Sequence, residues 1–333
     1  MKRIFDIKRT RMVDEATLGH TPTPLGRVFL AFFLVYIIST TASNLIGTFP
    51  IAIYNFIVAL KNGAYAVFEE AIYKGDMDTA YEFMLDITSN MPWWAFVLQL
   101  LASAFMIVAT IFYCKKFEKR SVSSLGLRKK GIAIEILLGL LIGGALIGLC
   151  FILTSGIGSV GYEFKGFSPT ILFFIPAFLV FSFAEEILVR GFYMTSLARD
   201  YNPWVCIIVS SLIFSLFNLS YLSVIVFINT FLFNVMLSIL VFKRGSIYSS
   251  SIVKFVWGFV GANVLGRSVF GFIPMPSMFT PIFASNKTLI SGGEIGFIGG
   301  IITSILLVCL IFILLLLKTK KSEESEVKIE YFN

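Results

Sequence analysis

The chain has 333 residues, of which 57% are hydrophobic and 14% are charged, and its mean hydropathy is +0.88. A soluble globular domain has about 25% charged residues and at most about half apolar residues, so this composition excludes an ordinary soluble protein. The net charge of +7 at pH 7 does not indicate a nucleic-acid partner, because basic residues in membrane proteins anchor the cytoplasmic face. The expected partner is the lipid bilayer.

Apolar segments of about the 20 residues that a membrane span needs follow one another along the chain. They cover residues 28–48, 93–114, 131–154, 168–188, 203–219, 222–242, 246–266 and 295–317. The sequence therefore predicts an all-α fold, a polytopic membrane helical bundle with about eight transmembrane helices.

Basic residues are distributed unevenly when successive loops are assigned to alternate sides of the membrane. One side receives 21 of them, including the tail 1–27, the loop 115–130 and Arg190, and the other side receives five. The positive-inside rule then places both termini in the cytoplasm, and an even number of spans agrees. We expect an integral plasma-membrane protein with a basic cytoplasmic tail over 1–27 and a disordered cytoplasmic tail over 318–333.

The first two spans, within residues 28–120, are separated by an acidic segment over 61–92. Its apolar residues follow helical spacing, as in the pair Phe68 and Ile72. This pattern is typical of an amphipathic excursion that lies on the outer surface of the bundle or on lipid headgroups. A plain external loop is the alternative.

An ionisable residue at membrane depth is expensive and is a functional candidate for that reason. The richest cluster holds Glu185, Glu186 and Arg190. Glu186 and Arg190 are four residues apart and can pair on one helical face. Glu185 is rotated by about 100° from Glu186 and needs a partner from another helix. A carboxylate aimed into the bundle could act as a general base on water, whereas the simpler interpretation is an interhelical anchor.

The run Glu185-Glu186-x-x-x-Arg190-Gly191-Phe192 resembles the signature of the CPBP family. These are the Abi-type intramembrane peptidases that include the CAAX prenyl endopeptidases. Further similar sequences follow in the family's order over roughly 121–317, which is similar to the CPBP membrane core. They are Ser123–Arg128, Phe214–Asn218, Asn229 at the family's asparagine, Gly245–Tyr248, and Ile290–Gly293 with Gly296.

The resemblance implies that Glu185 has the water-activating role. It also implies two histidine positions on later helices, which are Asn218 and Lys254 in this chain. The family's Asn or Asp four residues after the second histidine is Gly258 here. The one histidine of the chain, His20, lies in the tail before the first span and cannot substitute.

These substitutions change the chemistry expected of the site. Zinc prefers His or Cys ligands and a lysine cation would repel it, so we expect no metal and no cofactor. Lys254 could pair with Glu185, which would hold the carboxylate in its charged form as a weaker base. Alternatively, Lys254 could extend its side chain to the membrane interface.

Three functions remain open from the sequence. The first is a family member with lost or reduced peptidase activity that binds a membrane-embedded peptide or a prenylated or processed protein. The second is an active intramembrane endopeptidase in which Glu185 activates water while Asn218 and Asn229 polarise the scissile carbonyl. The third is an ion- or proton-coupled transporter that uses the Glu–Lys–Arg cluster.

Overall fold

The computed structural model describes residues 7–18, 24–89, 92–217, 223–269 and 276–317, with the side chains of 84–89 left undescribed. The predictions for His20, Asn218 and the tail 318–333 therefore lie outside the described residues. Of the tail 1–27, the structure describes residues 7–18 and 24–27.

The described chain consists almost entirely of helices. In chain order they are α1 (Arg11–Thr17), α2 (Leu25–Lys61), α3 (Ala64–Lys74), α4 (Met77–Ser89), α5 (Trp93–Ala102), α6 (Ala104–Lys116), α7 (Ile132–Gly156), α8 (Phe174–Glu186), α9 (Thr195–Ala198), α10 (Pro203–Phe217), α11 (Val224–Arg244), α12 (Tyr248–Phe259), α13 (Thr288–Ser291) and α14 (Ile301–Leu316). Two of these helices continue as π-helical turns, α8 over Ile187–Met194 and α12 over Val260–Val264.

Five helices of the described chain are long and apolar enough to cross a membrane, judged by length and composition. They are Leu25–Lys61, Trp93–Lys116, Ile132–Gly156, Pro169–Ala198 and Val224–Arg244. Shorter apolar helices cover Pro203–Phe217 and Ile301–Leu316. The prediction of an all-α, multi-pass membrane protein is confirmed. The number of about eight spans, including the one over 246–266, and the sidedness stay predictions.

Two helices are longer than their predicted spans. The first predicted span, 28–48, is the beginning of α2, which continues through Pro50 to Lys61. The predicted span 168–188 is the beginning of the helix Pro169–Ala198. The apolar sequence itself continues past Pro50 to Leu60 and leaves the end of the first span open. For the other helix, the end predicted at residue 188 misses the continuation.

The segment Ile187–Ala198, which follows α8, occupies the centre of the bundle. Every residue in it is buried. A helix that is apolar on all sides is typical of the interior of a larger bundle, because neighbouring helices cover all of its faces. Any polar group on it must therefore find its partners inside the protein.

Helices α7 and α12 pack closely against each other, and α12 carries Lys254. A Cβ atom at Gly139 would lie 2.6 Å from Ile252 Cβ, and one at Gly143 would lie 2.9 Å from Val256 Cβ. Small residues four apart allow two membrane helices to approach in this way. The contact fixes α12, and with it Lys254, against the bundle.

The amino-terminal helix α2 packs directly on the central segment. Phe32 stacks on Tyr193 with ring centroids 4.3 Å apart, and Tyr36 stacks on Phe217 at 5.3 Å. These contacts bury apolar area between α2 and the helices that carry the ionisable residues, so α2 forms one wall of that region.

The acidic segment 61–92 is helical and not a plain loop. It forms α3 and α4, which pack against each other through Phe68 and Phe83, with ring centroids 4.7 Å apart. Val67 and Tyr73 are exposed apolar side chains on α3. Such a surface is suited to lipid contact. Its external position stays a prediction.

A two-stranded antiparallel sheet joins distant parts of the chain at one end of the bundle. Strand β1 (Val160–Phe164) pairs with β2 (Phe279–Phe283), with Tyr162 opposite Pro281. A glycine-rich turn follows β2 and leads into α14. In this turn Gly296 has φ of +93°, and a Cβ atom there would lie 2.0 Å from the Ser268 carbonyl oxygen, so only glycine fits.

Candidate functional site

The two adjacent glutamates lie near the middle of the helix Pro169–Ala198. The α-helical part ends at Glu186, and the π-helical turns begin at Ile187. Such π-helical turns frequently occur at functional sites. They carry Arg190 inside the bundle, where it is fully buried. Its charge is neutralised within the protein by Glu186, and its assignment to the cytoplasmic side stays a prediction.

Glu186 and Arg190 form a buried ion pair. Arg190 Nη1 donates to Glu186 Oε1 at 2.8 Å, and Arg190 Nη2 donates to Asn234 Oδ1 at 2.6 Å and to the Asn234 carbonyl oxygen at 3.0 Å. Asn234 Nδ2 in turn donates to Ser215 Oγ at 3.2 Å. The pair expected from the four-residue spacing is confirmed. Through these bonds it links the central helix to α10 and α11, an arrangement suited to an interhelical anchor.

Glu185 pairs with the lysine of a different helix. Lys254 Nζ of α12 lies 2.5 Å from Glu185 Oε2, with relative side-chain exposures of 4% and 9%. The contact has the distance of an ion pair, although the oxygen does not meet the angular requirement for a hydrogen bond. Of the two positions left open for Lys254, the structure has the paired one, and the ammonium does not reach the interface.

Phe214 of α10 borders both cations of the site. Lys254 Nζ lies 4.9 Å from its ring centroid, and Arg190 Cζ lies 5.8 Å from it. The negative face of an aromatic ring stabilises a nearby cation, most strongly away from water. Phe214 begins the Phe-x-x-x-Asn sequence, so this residue of the motif supports the charges directly.

The four charges sum to zero and form two separate pairs. Burying a carboxylate alone would cost several kcal/mol, and an ammonium group at 2.5 Å offsets that cost. The same contact occupies one of the two carboxylate oxygens of Glu185. The geometry therefore favours a stable ionic cluster over a pair of general acid and general base.

Asn229 lies in a different set of contacts. Its Nδ2 donates to the carbonyl oxygens of Ile298 at 2.7 Å and Gly300 at 3.0 Å, and its Oδ1 accepts from Ser304 Oγ at 2.6 Å. These bonds use both the donor and the acceptor of the amide. The structure thus brings Asn229 to the glycine-rich turn and α14, and its contacts there do not include the four charges.

Two further positions were predicted to belong to the site, Gly258 and Asn218. Gly258 is buried on α12 one turn after Lys254. Asn218 follows the last residue of α10 and lies outside the described residues. Among the predicted site residues that the structure describes, Lys254 is the one whose side chain forms an ion pair with Glu185.

Sequence reasoning missed two residues that border the cluster. Asn234 binds Arg190, and it could have been found as a polar residue inside an apolar span. Tyr36 of α2 lies close enough for its hydroxyl to interact electrostatically with Glu185. No local pattern points to Tyr36, because its proximity depends on how α2 packs on the bundle.

Potential metal ligands do not cluster in the part of the chain that the structure describes. There, no group of three or more His, Cys, Asp or Glu side chains could hold a metal ion. Glu185 and Glu186 are each paired with a cation. The residue types present offer a poor set of ligands for zinc, and the expectation of a site without metal stays a prediction.

This geometry defines a class of protein. It is a multi-pass helical membrane protein with paired charges at the centre of its bundle. Residues 167–260 match the family model described as Type II CAAX prenyl endopeptidase Rce1-like. No curated protein and no solved structure matches the chain. The chain is thus a membrane-embedded protein with an Rce1-like domain of the CAAX prenyl endopeptidase (CPBP) family over 167–260. The matched residues include both ion pairs, and the similarity over the rest of 121–317 stays a prediction.

Proposed function

We propose that this protein is a plasma-membrane CPBP-family protein with lost or greatly reduced peptidase activity. In this proposal the protein acts by binding a membrane-embedded peptide or a prenylated protein, and both of its termini are cytoplasmic. The contact between Lys254 Nζ and Glu185 Oε2 carries the proposal. It occupies the one glutamate to which the family resemblance gives the water-activating role.

The charge pairing supports binding over cleavage on physical grounds. A general base must contact the water that it activates, and Lys254 occupies one carboxylate oxygen of Glu185. Neither Asn218 nor Lys254 offers an imidazole to carry a proton between steps. Loss of one donor to an oxyanion alone typically lowers a rate by about 100- to 1000-fold.

The family match supports the choice of ligand. Residues 167–260 match a model of CAAX prenyl endopeptidases, whose substrates are prenylated proteins. The ion pairs also have an aromatic side chain beside them, since Phe214 borders both cations, and an apolar environment suits a lipid-modified or membrane-embedded peptide.

The test uses the purified full-length chain in nanodiscs and a farnesylated peptide with a free carboxyl terminus. Binding is followed by fluorescence anisotropy, and products are followed by mass spectrometry. We expect saturable binding without cleavage by the wild type. The double variant Glu185→Gln/Lys254→Met keeps the region neutral and should weaken binding at least about tenfold, the effect of losing one charged contact.

Glu70→Gln is the matched control, because Glu70 is exposed and pairs with Lys74 on α3. It should bind like the wild type. Equal binding by the double variant would place the ligand elsewhere, and no binding by the wild type would overturn the binding proposal. Cleavage that disappears in Glu185→Gln would establish an active endopeptidase instead.

A further inference from the structure

Arg267 is a buried cation that the site described above does not use. It follows the π-helical turns of α12 and is 2% exposed. Lys254 precedes it by 13 positions, which include the end of α12 and all of its π-helical turns, and Arg267 itself packs on Phe283 of β2. Arg267 therefore lies near the end of the bundle that carries β1 and β2, apart from the Glu185 cluster.

The guanidinium of Arg267 is only partly satisfied. Its Nη2 donates to the Ser291 carbonyl oxygen at 2.7 Å, but Nε and Nη1 are buried without a hydrogen-bond partner in the described part of the chain. The following segment, 270–275, contains no acidic residue. A buried charge without a counter-charge is costly, and it points to a ligand that supplies one.

Aromatic rings hold this guanidinium in place. Arg267 Cζ lies 4.8 Å from the Phe283 ring centroid and 4.6 Å from that of Phe297. The rings stabilise the cation but accept none of its in-plane N–H groups. The N–H groups of Nε and Nη1 are therefore available to bind the oxygen atoms of a ligand.

Tyr162 of β1 adds a further donor nearby. Its hydroxyl is buried without a hydrogen-bond partner of good geometry in the described chain, although the Thr154 hydroxyl influences its pKa. Tyr162 and Arg267 interact electrostatically. Burial lowers the pKa of Arg267 to about 10, so the guanidinium is still charged at neutral pH and is destabilised by its surroundings.

We propose that Arg267 and Tyr162 bind a compact oxyanion of the phosphate class at this end of the bundle. A tetrahedral oxyanion has enough acceptor oxygens for Nε, Nη1 and the phenol together, more than the two of a carboxylate. The same chemistry is offered by the headgroup of an anionic phospholipid and by free phosphate. The site is independent of the function proposed for the Glu185 cluster.

The experiment measures the unfolding midpoint of the full-length chain. One arm adds inorganic phosphate at constant ionic strength to protein in neutral phosphatidylcholine nanodiscs. The other arm replaces part of the phosphatidylcholine with phosphatidylglycerol. A ligand that binds the folded state raises the midpoint saturably. A rise in the first arm identifies a free anion, and a rise in the second arm alone identifies a lipid headgroup.

Arg267→Gln should weaken the apparent affinity for the active probe at least about tenfold, and Tyr162→Phe should weaken it by about threefold or more. Tyr162→Phe removes a single hydroxyl. If Arg267→Gln does not fold, the affinity of Tyr162→Phe for the probe tests the proposal. Lys287→Gln is the control, because its exposed ammonium binds the Ile157 carbonyl oxygen near the same end. It should respond like the wild type. A response to neither probe, or equal responses in both site variants and the wild type, would overturn the proposal.

Discussion

At the scale of single residues, the identity of position 254 decides the chemistry of the cluster. A lysine there places an ammonium group against Glu185, and both side chains are almost completely buried. Each charge offsets part of the cost of burying the other. Such a pair should behave as a unit, and removing one member should cost far more than removing both.

Lys254→Met keeps the length of the side chain and removes its charge. We expect a loss of about 3–5 kcal/mol in the free energy of unfolding, because Glu185 is left buried without a partner. Adding Glu185→Gln should restore most of that loss. Unfolding titrations in mixed micelles measure the four corners of this double-mutant cycle.

The exposed pair Lys74–Glu70 provides the control, because its N–O distance is also 2.5 Å but its side chains are 65% and 63% exposed. Lys74→Met should cost less than about 1 kcal/mol. If the free-energy changes of the two single substitutions at Glu185 and Lys254 add up to that of the double variant, the two side chains are not energetically coupled.

Residue spacing predicted part of this cluster. The four-residue interval between Glu186 and Arg190 predicts their pairing, and the 100° offset of Glu185 requires a partner from another helix. The sequence could not choose between pairing and an interfacial position for Lys254. That choice depends on the packing of α12 against its neighbours, which is a tertiary contact.

At the scale of elements, the approach of α7 to α12 positions Lys254. Gly139 faces α12 at 2.6 Å from Ile252 Cβ, as measured from a Cβ atom built on the glycine, whereas a Cβ atom at Gly144 meets nothing within 4 Å. Both glycines lie in the same helix, Ile132–Gly156. They form a matched pair for testing the contact.

Gly139→Ala should destabilise the protein by about 1–3 kcal/mol, because α12 must move to admit the methyl group. Gly144→Ala should be neutral or slightly stabilising, since alanine favours the helix by up to about 1 kcal/mol. Thermal unfolding of the two variants in the same detergent makes the comparison. Equal midpoints for both variants would rule out close α7–α12 packing.

Element boundaries were predictable only where hydropathy changes sharply. The span 168–188 was given too early an end because Arg190 and the residues after it are less apolar in sequence. Arg190 is nevertheless buried, since Glu186 and Asn234 bind its guanidinium. Strands β1 and β2 were missed because short segments over 100 residues apart carry no signal of their pairing.

At the scale of the whole molecule, the uneven distribution of basic residues predicts the orientation. The loop 115–130 and the amino-terminal tail alone give one side a large excess, with or without Arg190. The exposed residues Lys74 and Lys116 fall on opposite sides in this scheme. They are suitable positions for reporting the sidedness of the chain.

Lys74→Cys and Lys116→Cys, each combined with Cys309→Ser to remove the exposed native thiol, should react differently with a membrane-impermeant maleimide. We expect labelling at position 74 in intact cells and labelling at position 116 only after lysis, as the positive-inside rule requires. The three other cysteines are buried and provide a low background. The opposite pattern would reverse the proposed orientation.

We propose above all that the ionic cluster at Glu185 and Lys254 is not an efficient peptidase site. The most direct measurement is cleavage of a membrane-embedded reporter peptide by the wild type and by Glu185→Gln, each with and without a chelator. We expect no cleavage by the wild type above the level of Glu185→Gln under either condition. Cleavage by the wild type that persists with chelator and disappears in Glu185→Gln would contradict it.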